Sequence, residues 1–179
     1  MKNPPHYVIG IFGASESGKG TVSNLLEWKL AQIGYSNVRQ HALAQPLKDA
    51  CAALDVVKGD TLFRRLICGI DDIIRKLDGD FLWKLFFRRE LVATPARHIF
   101  ILNDPRYKGQ AAHCDYTVKL LRSTAKSKMT AEEAAHQTEV DWMNIVTDVT
   151  YMNEDPSDPE IIAGLIIDKI LPDLLLFKD

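Results

Sequence analysis

The sequence predicts an α/β fold of three layers, α/β/α, around a five-stranded parallel sheet. Apolar strand-like runs alternate with segments of helical periodicity, and parallel pairing needs such crossover helices to return the chain. The first run, Tyr7 to Phe12, is continuously apolar, as a strand covered on both faces has to be. Directly behind it a glycine-rich turn opens an amphipathic helix. With 179 residues the chain is long enough for one domain with a single core.

The elements follow in order. After the turn, Val22, Leu25, Leu26, Leu30 and Ile33 recur at helical spacing, and Gly34 supplies a stop. Asn37 to Leu43 reads as a second strand, and Pro46 suits the first turn of a helix carrying Leu47, Ala50 and Leu54. Thr61 to Val92 is helical and rich in basic residues, broken around Asp78-Gly79 and closed by Pro95. Its second half, Phe81 to Phe86, has apolar residues at i, i+1, i+4 and i+5, the pattern of a helix with one buried face. His98 to Leu102 is a third strand, Tyr116, Val118 and Leu120 mark a fourth, and Ile145 to Met152 a fifth. Thr130 and Glu133 have capping-box spacing at the head of another helix. The last helix starts near Asp158-Pro159, carries Ile161, Ile162, Leu165 and Ile166, and is expected to end at Pro172.

Composition narrows the classes. A hydrophobic fraction of 46% with 26% charged residues is ordinary for a soluble globular protein. The formal net charge of -2 argues against a general nucleic-acid binder. Cys51, Cys68 and Cys114 are widely spaced and contain no CxxC pair, which suits a reducing compartment and neither a disulfide framework nor a zinc site. Met1 to Pro5 leads into a strand rather than a signal sequence, and no apolar stretch approaches the roughly 20 residues that span a bilayer. The expectation is a cytoplasmic protein with neither membrane nor nucleic acid as partner.

The turn reads Gly13-Ala14-Ser15-Glu16-Ser17-Gly18-Lys19-Gly20-Thr21. Its glycines let the backbone curl until successive N–H groups point inward as a nest for phosphate oxygens. The following helix adds the partial positive charge of its N-terminus, and Lys19 supplies a mobile point charge for the β and γ phosphates. A lone motif of this kind is often an ordinary turn, but this one has the strand before it and the helix after it that phosphate binding requires. The strict pattern has Ser or Thr directly after the lysine. Here Gly20 intervenes, which leaves open whether Thr21 touches magnesium or contacts phosphate and water.

Phosphoryl transfer asks the protein mainly for positive charge and alignment. The chain offers Arg64, Arg65, Arg75, Arg88, Arg89, Arg97, Arg106 and Arg122, any one of which is ordinarily a solvated surface charge. Arg75 follows an apolar turn in the helical insertion, Arg106 lies just past the third strand, and Arg122 ends the fourth. Ligands of open parallel sheets bind at the carboxyl ends of strands, so these positions are expected to face the phosphate loop. Asp104 ends the third strand, where a metal-water ligand often sits, with capping of its own turn as the alternative. His136 and Glu139 share a helix face at i, i+3 and are candidates to orient substrate. Phe81, Trp83 and Phe86 are candidates for a base pocket and for the core.

Several stretches together resemble the deoxynucleoside monophosphate kinases of bacteriophages and their bacterial relatives, within the P-loop nucleoside monophosphate kinase superfamily. They are Gly13 to Thr21, whose Lys-Gly-Thr ending resembles the adenylate-kinase branch; His41-Ala42-Leu43-Ala44-Gln45-Pro46-Leu47-Lys48; Arg64 through Arg75 to Asp80-Phe81-Leu82-Trp83; Asn103-Asp104-Pro105-Arg106-Tyr107; and His136-Gln137-Thr138-Glu139, followed by Asp148 and Asn153. The resemblance implies a P-loop kinase fold, with residues 60–95 as a helical acceptor-binding insertion and 122–136 as a lid. It implies transfer of the γ-phosphoryl of ATP, with Mg2+, to a deoxynucleoside monophosphate. Lys19 would serve the triphosphate, Arg75 and Arg106 the acceptor phosphate, and Arg122 a lid over ATP. Lys48, Arg64, Trp83, His136 and Glu139 would complete the substrate site, and Thr21 and Asp104 would serve the metal. A homodimer stays open. Leu43 in place of an aromatic, Gly69-Ile70-Asp71 in place of a Gly-Thr pair, and Gln110 in place of glutamate depart from the family pattern, all on the acceptor side.

Three rival readings stand beside this one. Kinases of phosphomevalonate or dephospho-coenzyme A would share the loop and scaffold. A silent nucleotide-binding module would also share them, although a GTPase would need an Asn-Lys-x-Asp segment that the chain lacks. A nucleic-acid module is the weakest, since no stacking aromatics accompany Arg64-Arg65 and Arg88-Arg89.

Overall fold

The apolar run after the amino terminus forms the central strand, β1 (His6–Gly13), and every one of its residues is buried. In the computed structural model, which describes residues 6–57, 60–91, 97–123 and 140–175, β1 lies between β3 (His98–Leu102) and β4 (Tyr116–Leu121). Outside these pair β2 (Val38–His41) and β5 (Val149–Met152), giving five strands in the order β2-β3-β1-β4-β5. All four pairings are parallel. The predicted α/β sheet is the observed one.

Both faces of β1 are covered, which explains its unbroken apolar sequence. Tyr7, Ile9 and Ile11 pack with Val22, Leu26 and Leu30 of α1 (Lys19–Gln32) and with Ile162, Ile166 and Ile170 of α6 (Asp158–Leu175). Val8, on the other face, meets Leu43, Phe100, Leu102, Trp83 and Phe86, the last two from α4 (Phe81–Phe86). Phe12 joins Trp142 and Ile145 near the end of the strand.

Local signals set the boundaries. Gly34 adopts φ 96, and the bond from Tyr35 N–H to Leu30 carbonyl closes α1 in the six-to-one manner of a left-handed helix stop. Pro46 sits in the first turn of α2 (Gln45–Ala52). The insertion contains α3 (Thr61–Leu77), then α4 after the break at Asp78-Gly79, then a π-turn over Phe87–Leu91. A short helix, α5 (Lys108–Ala111), separates β3 from β4.

Three expectations need correction. The second strand stops at His41 rather than Leu43, because Leu43 N–H and Ala44 N–H turn to the Asp104 carboxylate at 2.6 and 3.4 Å. The fifth begins at Val149 rather than Ile145, since Asp141–Asn144 forms a 3-10 turn whose end is pinned by Lys119 Nζ on the carbonyls of Met143 (3.0 Å) and Ile145 (2.5 Å). Pro172 does not end α6: the helix runs through it to Leu175. Leu174 is fully buried, and Asp173 accepts a hydrogen bond from Tyr7 hydroxyl at 3.2 Å, so the turn beyond the proline is held by packing. The helix expected from Thr130 lies outside the described residues.

Candidate phosphate-binding site

The loop from Gly13 to Gly18 joins the carboxyl end of β1 to α1. Gly13 and Gly18 have positive φ, 151 and 90, and Glu16 takes the left-handed conformation at φ 64. A Cβ on Gly13 would lie 2.6 Å from Leu120 carbonyl oxygen, and one on Gly18 would lie 2.1 Å from Asn153 Nδ2. Both glycines are therefore fixed by space as well as by angle. A Cβ on Gly20, by contrast, would meet nothing within 4 Å, so the residue that replaces the usual Ser or Thr is not demanded by packing.

Lys19 opens α1 and folds back over the loop, donating from Nζ to Gly13 carbonyl at 2.8 Å and to Ala14 carbonyl at 2.5 Å. Both acceptors are neutral backbone carbonyls, and they hold the ammonium beside the first turn of the helix. Ser17 is fully buried in the loop, and Ser15, Glu16 and Thr21 line the side that solvent reaches. Arg64 of α3 approaches from the insertion, its Nη2 being 3.5 Å from Ser15 Oγ.

Asp104 and Arg106 follow β3, which is adjacent to β1 with Leu102 opposite Gly10, so the segment emerges beside the start of the loop. Besides the two amides at the start of α2, the Asp104 carboxylate meets Lys48 Nζ at 3.4 Å. Arg106 is positioned through its backbone: Gln110 Oε1 accepts from Arg106 N–H at 2.7 Å and from Tyr107 N–H at 3.2 Å. Arg122 is exposed at the carboxyl end of β4. Its neighbour Ser123 donates its N–H to Glu154 Oε1 at 2.5 Å, tying the strand end to the loop after β5.

Arg75, on α3, stands apart from Lys19 and Arg64. It is paired with Asp71 at 3.2 Å and Asp72 at 2.6 Å, and its guanidinium lies 4.4 Å from the centroid of the Tyr107 ring. Tyr107 hydroxyl donates to the same Asp71 carboxylate. Burial alone would lower the Arg75 pKa, but Tyr107, Asp71 and Asp72 outweigh it and raise it. Burial, then the hydrogen bond to Asp71, likewise raises Tyr107. Asp71, Ile74, Arg75, Tyr107 and Gln110 line one shallow cleft.

The structure thus brings Gly13 to Thr21, Arg64, Asp104, Arg106 and Arg122 to the carboxyl edge of the sheet. It places Trp83 in the core beside Phe86, its indole stacked on His113 at 4.6 Å and 6°. His136 and Glu139 lie outside the described residues. Among those described, no group of three or more His, Cys, Asp or Glu is arranged to hold a metal ion. No helix among them is long and apolar enough to cross a membrane. Sequence reasoning missed the partners of Arg75. The i, i+4 and i, i+3 spacings of Asp71 and Asp72 to Arg75 were the available signal.

No protein-family model matches the chain, and no curated protein does. Solved structures do. Protein TT1252 from Thermus thermophilus is similar over 94% of this chain and 97% of its own, with a TM-score of 0.54 at 18% identity. Thymidylate kinase from Ehrlichia chaffeensis is similar over 92% and 98%, with a TM-score of 0.52 at 15% identity. At such identities the likeness concerns the course of the backbone, and it spans nearly the whole of each chain: the fold is the five-stranded parallel α/β fold that these proteins share.

Proposed function

We propose that this chain is a phosphotransferase that moves the γ-phosphoryl of ATP to a (deoxy)nucleoside monophosphate, giving the diphosphate and ADP. The observation that carries the proposal is the loop at the end of the central strand. There Lys19 rests on neutral carbonyls, two glycines hold left-handed backbone, and Arg64 reaches across from the insertion. Such a loop binds a polyphosphate through backbone N–H groups and a helix N-terminus. The thymidylate kinase with the same fold supports the acceptor class.

Residues 60–95 act as the acceptor-binding insertion and 122–136 as the lid in this reading. Lys19 takes the β and γ phosphates, Arg106 and Arg64 the acceptor phosphate, and Arg122 closes over ATP. An acceptor phosphate is already ionised, so oriented positive charge suffices and no general base is required. Mg2+, when bound, neutralises charge between the phosphates. The residues present suit an ion that keeps most of its waters. Thr21 hydroxyl is exposed in the first turn of α1, and the Asp104 carboxylate has lone pairs beyond those used by Leu43 and Ala44.

A second reading, transfer to another small phosphate acceptor of the phosphomevalonate or dephospho-coenzyme A kind, is supported by the pairing of Arg75. With two carboxylates on it, Arg75 is a weaker reader of the acceptor phosphate than the resemblance to nucleoside monophosphate kinases implies. One assay addresses both. ADP formation is measured with ATP and Mg2+ across ribo- and deoxynucleoside monophosphates, phosphomevalonate and dephospho-coenzyme A. Turnover is expected with at least one nucleoside monophosphate. Turnover only with the other acceptors would select the second reading, and none at all would leave a binding module.

A further inference from the structure

We infer that Asn153 is the positioning residue of the phosphate loop, setting the direction of its amides from beneath and thereby its affinity for triphosphate. The inference rests on the triphosphate reading above. Asn153 directly follows β5, and its N–H donates to Leu121 carbonyl at 2.8 Å, which prolongs the β4–β5 ladder and fixes its backbone. Its side chain is buried, at 3% exposure for the residue, and Nδ2 donates to Ser17 carbonyl at 2.7 Å.

In a trans peptide the carbonyl and the following N–H point in opposite directions. Drawing the Ser17 oxygen toward the end of β5 therefore turns the Gly18 N–H to the opposite side of the loop. A nest works only when its N–H groups converge on one point, so the orientation of this peptide is worth more than one hydrogen bond. The fit is reciprocal: Gly18 has no Cβ because Asn153 Nδ2 would lie 2.1 Å from it. Lys19 leaves the chain at the very next residue, so a rotated Ser17–Gly18 peptide would also swing the ammonium off its carbonyls.

The chemistry distinguishes asparagine from its isostere. An aspartate at 153 would set an oxygen against the Ser17 oxygen and place a negative charge under an anion site. Alanine would leave the buried carbonyl unpaired without adding charge. The graded outcome is the test.

Wild type, Asn153→Asp and Asn153→Ala are titrated calorimetrically with inorganic tripolyphosphate and with ATP, and their unliganded melting is followed by circular dichroism. Tripolyphosphate isolates the loop from any base or acceptor contact. Affinity for both ligands is expected to fall about tenfold or more in Asn153→Asp and by less in Asn153→Ala, because a misplaced nest loses convergent contacts together. A merely structural residue would lower the melting point and leave the affinity of the folded protein alone. Equal affinities in all three proteins, or a loss that only tracks unfolding in both variants, overturns the inference while the triphosphate reading stands. A wild type that binds neither ligand removes the reading, and the inference falls with it.

Discussion

Lys19 and Arg75 are both cations that the sequence marks for phosphate, and the fold treats them in opposite ways. Lys19 donates to two neutral carbonyls, and in the proposed reading a phosphate displaces those two hydrogen bonds. Arg75 lies between two carboxylates and over an aromatic ring. An incoming phosphate would have to displace a carboxylate, and Asp71, being buried, would be left without its cation where water does not solvate it, at a large penalty. One cation meets carbonyl oxygens of its own loop. The other is spent on holding the insertion together.

The largest effect expected from this contrast is on Lys19. Lys19→Ala should reduce turnover by about two to three orders of magnitude, the usual cost of losing one oriented charge in a dry site. Its melting temperature without nucleotide should stay near wild type, since the carbonyls that Lys19 covers belong to an otherwise intact loop. Steady-state assay and thermal melting on the same preparation check both halves. An unchanged rate would deny the loop its role.

How much of this was legible beforehand depends on the range of the interactions. Strands β1 and β3 were readable to within a residue because burial on both faces writes an unbroken apolar run. The conformation of the loop from Gly13 to Gly18 was readable because it is dictated by those two glycines themselves. The starts and stops that failed are set by distant partners: Asp104 bends the chain at Leu43, Lys119 pins the turn before β5, and Leu174 with Tyr7 carries α6 past Pro172. The same holds for the site. Nothing near Asn153 in sequence announces a bond to Ser17, 136 residues away. The partners of Arg75 were half legible, since Asp71 and Asp72 lie within one helical turn of it, whereas Tyr107 comes from beyond β3.

Arg75 gives the next effect in size, and on a different readout. Arg75→Ala strands the buried Asp71 carboxylate without its cation, which should cost about 3 kcal/mol. For a domain of this size that is roughly 6–12 °C in Tm, read by calorimetry or circular dichroism. Adding Asp71→Asn to the variant should return part of the loss, because the uncompensated charge is then gone. A variant that melts like wild type yet turns over as poorly as Lys19→Ala would erase the contrast, making Arg75 a phosphate ligand after all.

His41 sharpens the point with the smallest effect, because it stages the same contest with the opposite winner. It ends β2, its ring 4.6 Å from that of Phe86, with Glu90 and Asp104 favouring its protonation and Lys48 opposing it. Burial is the dominant influence, and the pKa falls below the ordinary 6.5, whereas at Arg75 the acids prevail over burial. The difference is contact: Arg75 is hydrogen-bonded to its carboxylates, and His41 feels its acids only through space. A histidine whose pKa is depressed on folding binds fewer protons in the native state, so stability rises with pH across the interval. The stabilisation is complete above 6.5 and is lost as pH falls from there through the native pKa. Comparing His41→Gln with wild type, the gap in Tm should close or reverse on the order of 2 °C between neutral and mildly acidic buffer. A gap that widened on acidification would mean that Asp104 and Glu90 charge His41 as Asp71 and Asp72 hold Arg75, and that proximity without a hydrogen bond is enough.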